Sequence, residues 1–257
     1  RFYKDGVYDY DELVTVTKHI VKNLNSFIDL NSYPTKESDT HNKATRPIGI
    51  GIQGMGNVLM DMRLPYESIE AVNIEAKIME VIYYGAIESS MELAKATGIK
   101  YDYFEGSPFS KGIFQFDMGY KNVKLNFDWD ALKQKVMKYG TMNSFLTALM
   151  PTASTSQILG NMECFEPITS NIYARKTSSG TFMSVNINLI QDLRKLGLWN
   201  EEMKDIIIDH EGSIQNINNI PDNIKQLYKT VWEIKQKWIM DHAIARAAFV
   251  DQSQSMN

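Results

Sequence analysis

The pattern of apolar and polar residues predicts a chain of helices joined by a few short strands. Apolar residues recur three or four positions apart, as they do on one face of a helix, in six stretches: 10–29, 66–97, 129–139, 189–196, 200–210 and 221–245. In the first stretch the predicted buried stripe is Leu13, Thr17, Ile20, Leu24 and Phe27 or Ile28. Asp128 and Gly140 flank the third stretch, and they suit the N-cap and the C-terminal end of a helix.

Four shorter stretches have the composition of strands. They are 48–52, in which isoleucines alternate with glycines, and 145–150, 178–187 and 247–250. Strands separated by helices indicate an α/β fold with a largely parallel sheet. The polar stretch 33–45 and the aromatic, glycine-rich stretch 101–116 predict loops instead.

The segment after the predicted strand 145–150 has the composition of an anion-binding turn. Pro151 ends the apolar run, and Thr152, Ala153, Ser154 and Thr155 follow it. Proline suits the start of a helix, and serine or threonine suits its N-cap. Where small hydroxylated residues lead into a helix, the first N–H groups of the helix are free to bind an anion. An ordinary capped helix start has the same composition, so the pattern leaves both interpretations open.

The spacing Gly-x-Gly-x-x-Gly over residues 49–54 matches the letters of a dinucleotide-binding fingerprint. In that fingerprint the glycines follow a strand, whereas here they lie inside the isoleucine run. The glutamates about 20 positions further on fall within the predicted helix 66–97 and not at the end of a second strand. The spacing therefore does not predict a dinucleotide fold.

Composition narrows the class of protein. A chain of 257 residues with 44% hydrophobic residues can bury one or two cores. The net charge of −4 and the scattered basic residues give no indication of nucleic-acid binding. Cys164 is the only cysteine, which excludes an internal disulfide and suits a reducing compartment. No apolar run approaches the ~20 residues of a membrane span, and a cytoplasmic location is expected.

The segment Pro-Thr-Ala-Ser-Thr-Ser-Gln-Ile-Leu-Gly-Asn at 151–161 is the most specific of several motifs in this chain. The other motifs are 46–54, 83–86, 105–108, 163–167, 169–173, 197–199, 227–233 and 249–255. Together these segments resemble the large subunit of class I ribonucleotide reductase in its eukaryote-like and viral branch, and they occur in the order that the family has. The resemblance implies that residues 1–257 form part of one domain. That part would be roughly the second half of a ten-stranded α/β barrel, mostly helical by residue count.

The resemblance also implies an activity and its partners. The family reduces ribonucleotides to deoxyribonucleotides by radical chemistry, and Thr152, Ala153, Ser154 and Thr155 would contact the diphosphate of the ribonucleoside diphosphate substrate. It implies no cofactor in this segment, because the family uses a radical cofactor on its small subunit and nucleoside triphosphates as effectors. The expected partners are the small subunit, the remainder of the large subunit and a second copy of the full subunit. Neither a membrane nor a nucleic acid is expected.

The family's radical cysteine does not match any residue of this chain. It lies in an Asn-x-Cys-x-Glu motif, whereas position 162 is Met and Cys164 follows the phosphate turn. Cys164 is therefore expected to be a buried or bystander thiol, and no residue is assigned a catalytic or metal-binding role. Tyr83 and Tyr84 are expected to pack within a helix, because the family's radical-transfer tyrosines lie further along the polypeptide.

Both ends of the sequence, Arg1 and Asn257, are unlike natural termini, and the chain is expected to be a piece of a longer or split polypeptide. Three hypotheses remain open. The chain is a segment of the enzyme that is competent only with the missing parts, an independent module that binds a phosphorylated ligand, or a piece that only completes a barrel.

Overall fold

The computed structural model describes residues 1–177 and 180–255, and about half of them lie in α-helices. The chain forms two compact units. The first contains Arg1–Gly51, Asn73–Met150 and the described residues from His242 onward. The second contains Ile52–Val72 and Pro151–Asp241.

Ten α-helices account for most of the regular structure in the described residues. They are α1 Tyr10–Leu30, α2 Lys36–Thr45, α3 Met55–Asp61, α4 Ile69–Thr97, α5 Trp129–Tyr139, α6 Thr155–Leu159, α7 Ile187–Lys195, α8 Glu201–Asp209, α9 Asp222–Leu227 and α10 Gln236–Ala247. Short 3-10 helices lie at Phe109–Lys111, Gln115–Asp117 and Val231–Glu233. The strands are β1 Tyr3–Lys4, β2 Val7–Tyr8, β3 Ile172–Thr177 and β4 Gly180–Val185.

Five of the six predicted helices are confirmed as α1, α4, α5, α7 and α8. The starts of α1, α5 and α8 are fixed by side chains that accept hydrogen bonds from free N–H groups of the first turn. Asp9 caps α1, Asp128 caps α5 and Asn200 caps α8. The predicted bounds of α5 match because both signals, Asp128 and Gly140, adjoin its ends.

The buried face of α1 differs in part from the predicted stripe. Leu13, Thr17 and Ile28 are buried, but Phe27 is 62% exposed. Asn25 is buried instead, and its side-chain amide donates to Asn143 Oδ1 at 3.0 Å. An apolar pattern cannot identify this face, because a polar residue with a satisfied hydrogen bond occupies its centre.

The predicted loop 33–45 is wrong, since most of it forms helix α2. The helix begins with a reciprocal cap in which the Thr35 hydroxyl accepts from Ser38 N–H and the Ser38 hydroxyl accepts from Thr35 N–H. No residue of α2, which lies wholly within the described chain, is buried. A helix without a buried apolar face has no apolar periodicity, so the pattern missed it.

The single long helix predicted for 221–245 is also wrong. The segment forms α9 and α10, separated by an extended turn and the 3-10 helix Val231–Glu233. Within the second unit, the Glu67 carboxylate accepts from the Lys235 backbone N–H at 2.8 Å and forms an ion pair with Lys229. In a continuous helix the Lys235 N–H would donate to the carbonyl four residues earlier and not to Glu67. The long-range contacts of Glu67 therefore override the local helical pattern.

Replacing Glu67 by glutamine is expected to loosen residues 228–235. Burial raises the pKa of Glu67, but the hydrogen bonds from Lys229 and Lys235 outweigh it and hold this pKa below its usual value. The lowered pKa means that the carboxylate stabilises the fold above its unfolded pKa, and that this contribution is lost as the pH falls through the folded pKa. Hydrogen–deuterium exchange of 228–235 should show protection in E67Q reduced by about 1–3 kcal/mol at neutral pH.

The acid-dependent loss of protection below pH of about 4 in the wild type should be absent from E67Q. Glu70→Gln, which changes an exposed carboxyl three residues away, serves as the matched control and should match the wild type. Equal protection in E67Q and E70Q would show that Glu67 does not hold the break between α9 and α10.

The predicted strands 48–52 and 145–150 form one short parallel pair in the first unit. Ile48 N–H donates to Phe145 O at 3.0 Å, Ile50 N–H to Leu146 O at 2.9 Å, and Ala148 N–H to Ile50 O at 3.1 Å. The pairing amounts to a single isolated bridge between Ile50 and Thr147 and not to regular strands. A Cβ on Gly51 would lie 2.5 Å from the Ala148 carbonyl oxygen, so the glycine permits this close approach.

The predicted strand 247–250 is wrong. Ala247 ends α10, and the chain then turns. The Asp251 carboxylate accepts from the N–H groups of Leu146 and Thr147 at 2.7 and 3.1 Å. A side chain thus satisfies backbone donors that a neighbouring strand would have taken.

The regular sheets of the described residues are two antiparallel hairpins, and not the largely parallel sheet that was predicted. β1 pairs with β2 in the first unit, and β3 pairs with β4 in the second. Of the predicted strand 178–187, residues 180–185 form β4, while Ser178 and Ser179 lie outside the described residues. The described chain forms no closed barrel, and parallel pairing is restricted to the bridge at Ile50.

Each unit has its own core. In the first, Tyr83 packs against Trp129 and Phe249, and its hydroxyl accepts from Gln115 N–H at 3.1 Å. Tyr84 stacks on Phe127 at a centroid distance of 4.2 Å, so the expected packing role of both tyrosines is confirmed. The second core includes buried side chains from α3, α7, α8 and α9, among them Met60, Leu193, Ile207 and Leu227, and also Ile172 of β3 and the isoleucines between α8 and α9.

Candidate functional site

The predicted anion-binding turn lies in the second unit, between Pro151 and α6. Ala153, Ser154 and Thr155 are exposed and Thr152 is half-buried. Within the described chain, the backbone N–H groups of these four residues donate to no protein acceptor. Unpaired N–H groups at an exposed turn are the donors that an anion requires.

Helix α6 contributes less than the sequence predicts. It spans only five residues, and Ser154 occupies its N-cap position without a side-chain capping bond. The field of a helix sums over aligned peptide units, so a helix this short adds little to it. The binding capacity of the turn therefore depends on its own N–H groups and hydroxyls.

The three hydroxyls of the turn differ in their partners. Thr152 Oγ1 accepts from the Cys164 N–H at 2.8 Å, and Thr155 Oγ1 donates to Gln53 Oε1 at 2.9 Å. The Ser154 hydroxyl has no hydrogen-bond partner among the described residues. Ser154 is thus the residue whose side chain is most available to a ligand.

Thr152 is held in an unusual backbone conformation. Its φ is +56°, in the left-handed region that β-branched residues rarely adopt. The hydrogen bond from Cys164 N–H to its hydroxyl compensates for this strain and fixes the first residue of the turn. The threonine at this position is therefore a structural anchor as well as a candidate ligand.

The segment at the start of α3 contacts Met162, which follows the turn and α6 in the sequence. Gly54 N–H donates to Met162 O at 2.9 Å, and Met162 N–H donates to Asn57 Oδ1 at 2.7 Å. A Cβ on Gly56 would lie 2.5 Å from Met162 Sδ. Because these residues are more than 90 positions apart, only the folded chain brings them together.

Cys164 is buried, as expected, with 3% of its surface exposed and no disulfide in the described chain. Its φ of +41° places it in the left-handed region. Its N–H holds Thr152, so its contact with the turn runs through the backbone.

Gln53 is the site residue that the sequence did not identify. It lies 102 positions before Thr155 and contacts the hydroxyl of that residue. Gln53 lies in the matching segment 46–54 and directly follows the predicted strand 48–52, and this position is the signal that could have identified it.

A second polar cluster, which the pattern also missed, lies in the first unit. Glu75, His242 and Arg246 are each fully buried. Glu75 accepts from Arg246 Nη1 at 2.9 Å with one oxygen and pairs with His242 Nδ1 through the other. The cluster satisfies buried charges inside a core and has no connection with the turn in sequence or in unit.

No group of three or more histidine, cysteine, aspartate or glutamate side chains among the described residues is placed to hold a metal ion. No described helix has both the length and the apolar character to span a membrane.

Comparison with known proteins identifies the family. The sequence model of the family described as the ribonucleotide reductase barrel domain matches residues 1–257. The chain therefore belongs to the ribonucleotide reductase barrel-domain family.

The relatives have a more specific name. The chain is 55% identical over 253 residues to the ribonucleoside-diphosphate reductase large subunit of Danio rerio, covering 98% of the chain and 32% of that protein. It is 53% identical over 251 residues to the large subunit of Plasmodium falciparum, covering 97% of the chain and 31% of that protein. To the large chain of Schizosaccharomyces pombe it is 49% identical over 256 residues, covering the whole chain and 31% of that protein. The chain spans about a third of the length of these relatives.

Proposed function

We propose that this chain acts as part of a ribonucleoside-diphosphate reductase large subunit, in which the turn at Thr152–Thr155 holds the diphosphate of the substrate. The observation that supports this most directly is the set of backbone N–H groups at 152–155 without acceptors in the described chain. The proposal also depends on family membership, because free N–H groups alone do not specify a nucleotide.

The residues of the turn have distinct tasks in this proposal. The N–H groups of 153–155 and the Ser154 hydroxyl donate to phosphate oxygens. Thr152 contributes its N–H while its hydroxyl keeps the turn attached to Cys164. No lysine or arginine is required, because several free N–H groups at one turn supply a positive field for a phosphate group.

The remaining parts of the reaction lie with other groups. In this proposal, the chain forms roughly half of a ten-stranded α/β barrel, and a further part of the large subunit completes it and supplies the reactive thiols. A small subunit supplies the radical cofactor, nucleoside triphosphates act as effectors, and the complete subunit is an oligomer in the cytoplasm. The chain itself binds and orients the diphosphate, and none of its side chains is assigned to a chemical step.

Replacing Cys164 by alanine is expected to leave diphosphate reduction nearly intact. The thiol is buried, and the contact between Cys164 and the turn uses its backbone N–H, which alanine retains. The assay is deoxyribonucleotide formation by the large subunit carrying C164A, together with the small subunit. A loss larger than about 1,000-fold, with the protein still folded, would assign Cys164 to the chemistry.

The proposal as a whole is tested by reconstitution. The complete large subunit that carries this chain should reduce ADP or GDP when it is combined with the small subunit. ADP binding without reduction would favour an independent phosphate-binding module instead. No ADP binding, together with a stable complex between this chain and the remainder of the subunit, would favour a piece that only completes the barrel.

A further inference from the structure

In the side-chain amide of Gln53, the oxygen has a hydrogen-bond partner and the nitrogen has none among the described residues. Its Oε1 accepts from the Thr155 hydroxyl at 2.9 Å. Its Nε2 is buried and has no hydrogen-bond partner among the described residues. A buried NH2 group without an acceptor is costly, and such groups in native proteins usually have a functional explanation.

The present arrangement also occupies the only proton of the Thr155 hydroxyl. A threonine hydroxyl has one hydrogen to donate and two lone pairs to accept. While that hydrogen points to Gln53 Oε1, Thr155 cannot donate to a phosphate oxygen. The hydroxyl would then present lone pairs to an anion, which is unfavourable.

We propose that Gln53 is a positioning residue for the diphosphate, and that ligand binding reverses its amide. This inference rests on the proposed function of the turn. A half-turn about the last side-chain bond exchanges the oxygen and nitrogen ends, which are similar in size. Nε2 then donates to Thr155 Oγ1, and the Thr155 hydroxyl donates to a phosphate oxygen. The donor chain runs from the amide through the hydroxyl to the anion, and each bond polarises the next.

Gln53 is placed to act on the turn from a fixed support. Its neighbour Gly54 has a φ of +78° and donates its N–H to Met162 O at 2.9 Å. Asn57, one helical turn further on, holds Met162 N–H at 2.7 Å. The backbone at Gln53 is therefore attached to the segment that follows α6, so rotation of the amide requires no movement of the main chain.

Two replacements of Gln53 separate this role from simple packing. Gln53→Met keeps the length of the side chain and removes both hydrogen-bonding ends. Gln53→Glu keeps the shape but can only accept, so it holds the Thr155 proton permanently and adds a negative charge. In the complete large subunit assayed with the small subunit, Q53M should raise KM for ADP about 10-fold, and Q53E about 100-fold or more. The kcat should change less than about threefold in Q53M, because the lost contact is to a part of the substrate that does not react.

Control variants distinguish the local hydrogen bond from other effects. Gln157→Glu places the same charge on an exposed position of α6 and should change KM far less than Q53E. Thr155→Val removes the hydroxyl through which Gln53 acts, so Q53M should have no further effect in a T155V background. Thr155→Ser keeps the hydroxyl and should retain the effect of Q53M.

The outcomes separate this inference from the proposed function. If Q53M and Q53E leave KM for ADP unchanged while S154D raises it, the turn binds diphosphate and Gln53 does not position it. If the full effect of Q53M persists in the T155V background, Gln53 acts by another route and the inference is wrong. If neither S154D nor the Gln53 variants change KM, the proposed function of the turn itself fails. Should Q53M not accumulate as folded protein, Q53E, which preserves shape, decides the question.

Discussion

Replacing Ser154 by aspartate should weaken ADP binding to the complete large subunit about 100-fold. The Ser154 hydroxyl has no partner in the described chain and lies among the free N–H groups of the turn. A carboxylate there accepts from these N–H groups and repels the diphosphate, with an energy of about 4 kcal/mol for charges about 4 Å apart near a protein surface. Salt screening reduces this repulsion energy. Calorimetric titration with ADP measures the change.

Ser154→Asn is the matched control for S154D. Asparagine has nearly the same size and also suits an N-cap, but it carries no charge. S154N should therefore weaken ADP binding far less than S154D. The difference between the two variants should shrink as salt is added, because the repulsion is electrostatic. If S154D binds ADP within about threefold of the wild type, the turn does not hold the diphosphate.

S154D should also leave the fold intact or slightly stabilise it. Aspartate at an N-cap accepts from free N–H groups and interacts favourably with the start of the helix. A loss of ADP binding by S154D without a loss of thermal stability therefore cannot be attributed to unfolding. A bulky side chain at this position would not separate the two effects, because it could weaken both ADP binding and the stability of the fold.

Replacing Glu75 by glutamine should destabilise the protein by about 3–5 kcal/mol, the largest stability effect expected of a single replacement here. Glu75, His242 and Arg246 are fully buried in the first unit, and the carboxylate holds the guanidinium at 2.9 Å. Without the carboxylate charge, the buried Arg246 guanidinium loses its ion pair with Glu75. The midpoint of urea unfolding measures the change.

Glu92→Gln in the same helix is the control for E75Q. Glu92 pairs with Lys18 at 2.7 Å, but its side chain is 42% exposed. Exposed ion pairs contribute about 0–1 kcal/mol, so E92Q should unfold close to the wild type. The double variant E75Q/R246M removes both charges and should recover part of the loss. An E75Q midpoint equal to that of E92Q would show that the buried carboxylate is not needed for stability.

The contrast between α5 and α2 explains which elements the pattern could predict. Helix α5 has an apolar face, with Leu132 and Val136 buried, and a capping aspartate directly before it. Helix α2 has a capping box but buries nothing. Apolar periodicity records burial, so it predicts an element only when that element packs on a core.

The errors in the strand predictions have a different cause. The apolar runs at 48–52, 145–150 and 247–250 each contribute buried residues, for example Ile50, Leu146 and Val250. Their backbone donors, however, are satisfied by a mixture of one parallel bridge and the Asp251 carboxylate. Composition predicts burial of a short apolar run, but not which acceptor its N–H groups will find.

The sequence by itself determined the capped helices with buried faces, the mismatch of Cys164 to the radical-cysteine motif and the turn at 152–155 as the candidate binding segment. These follow from interactions among residues close together in the chain and from motif order, which a single sequence contains. Only the tertiary structure decided that Ser154 keeps a free hydroxyl, that Gln53 holds Thr155 and that Glu67 breaks the helix predicted for 221–245. Each of these depends on which donor meets which acceptor across a hundred or more residues, or on a donor that meets none. That outcome is fixed by packing of the whole unit and not by local preference.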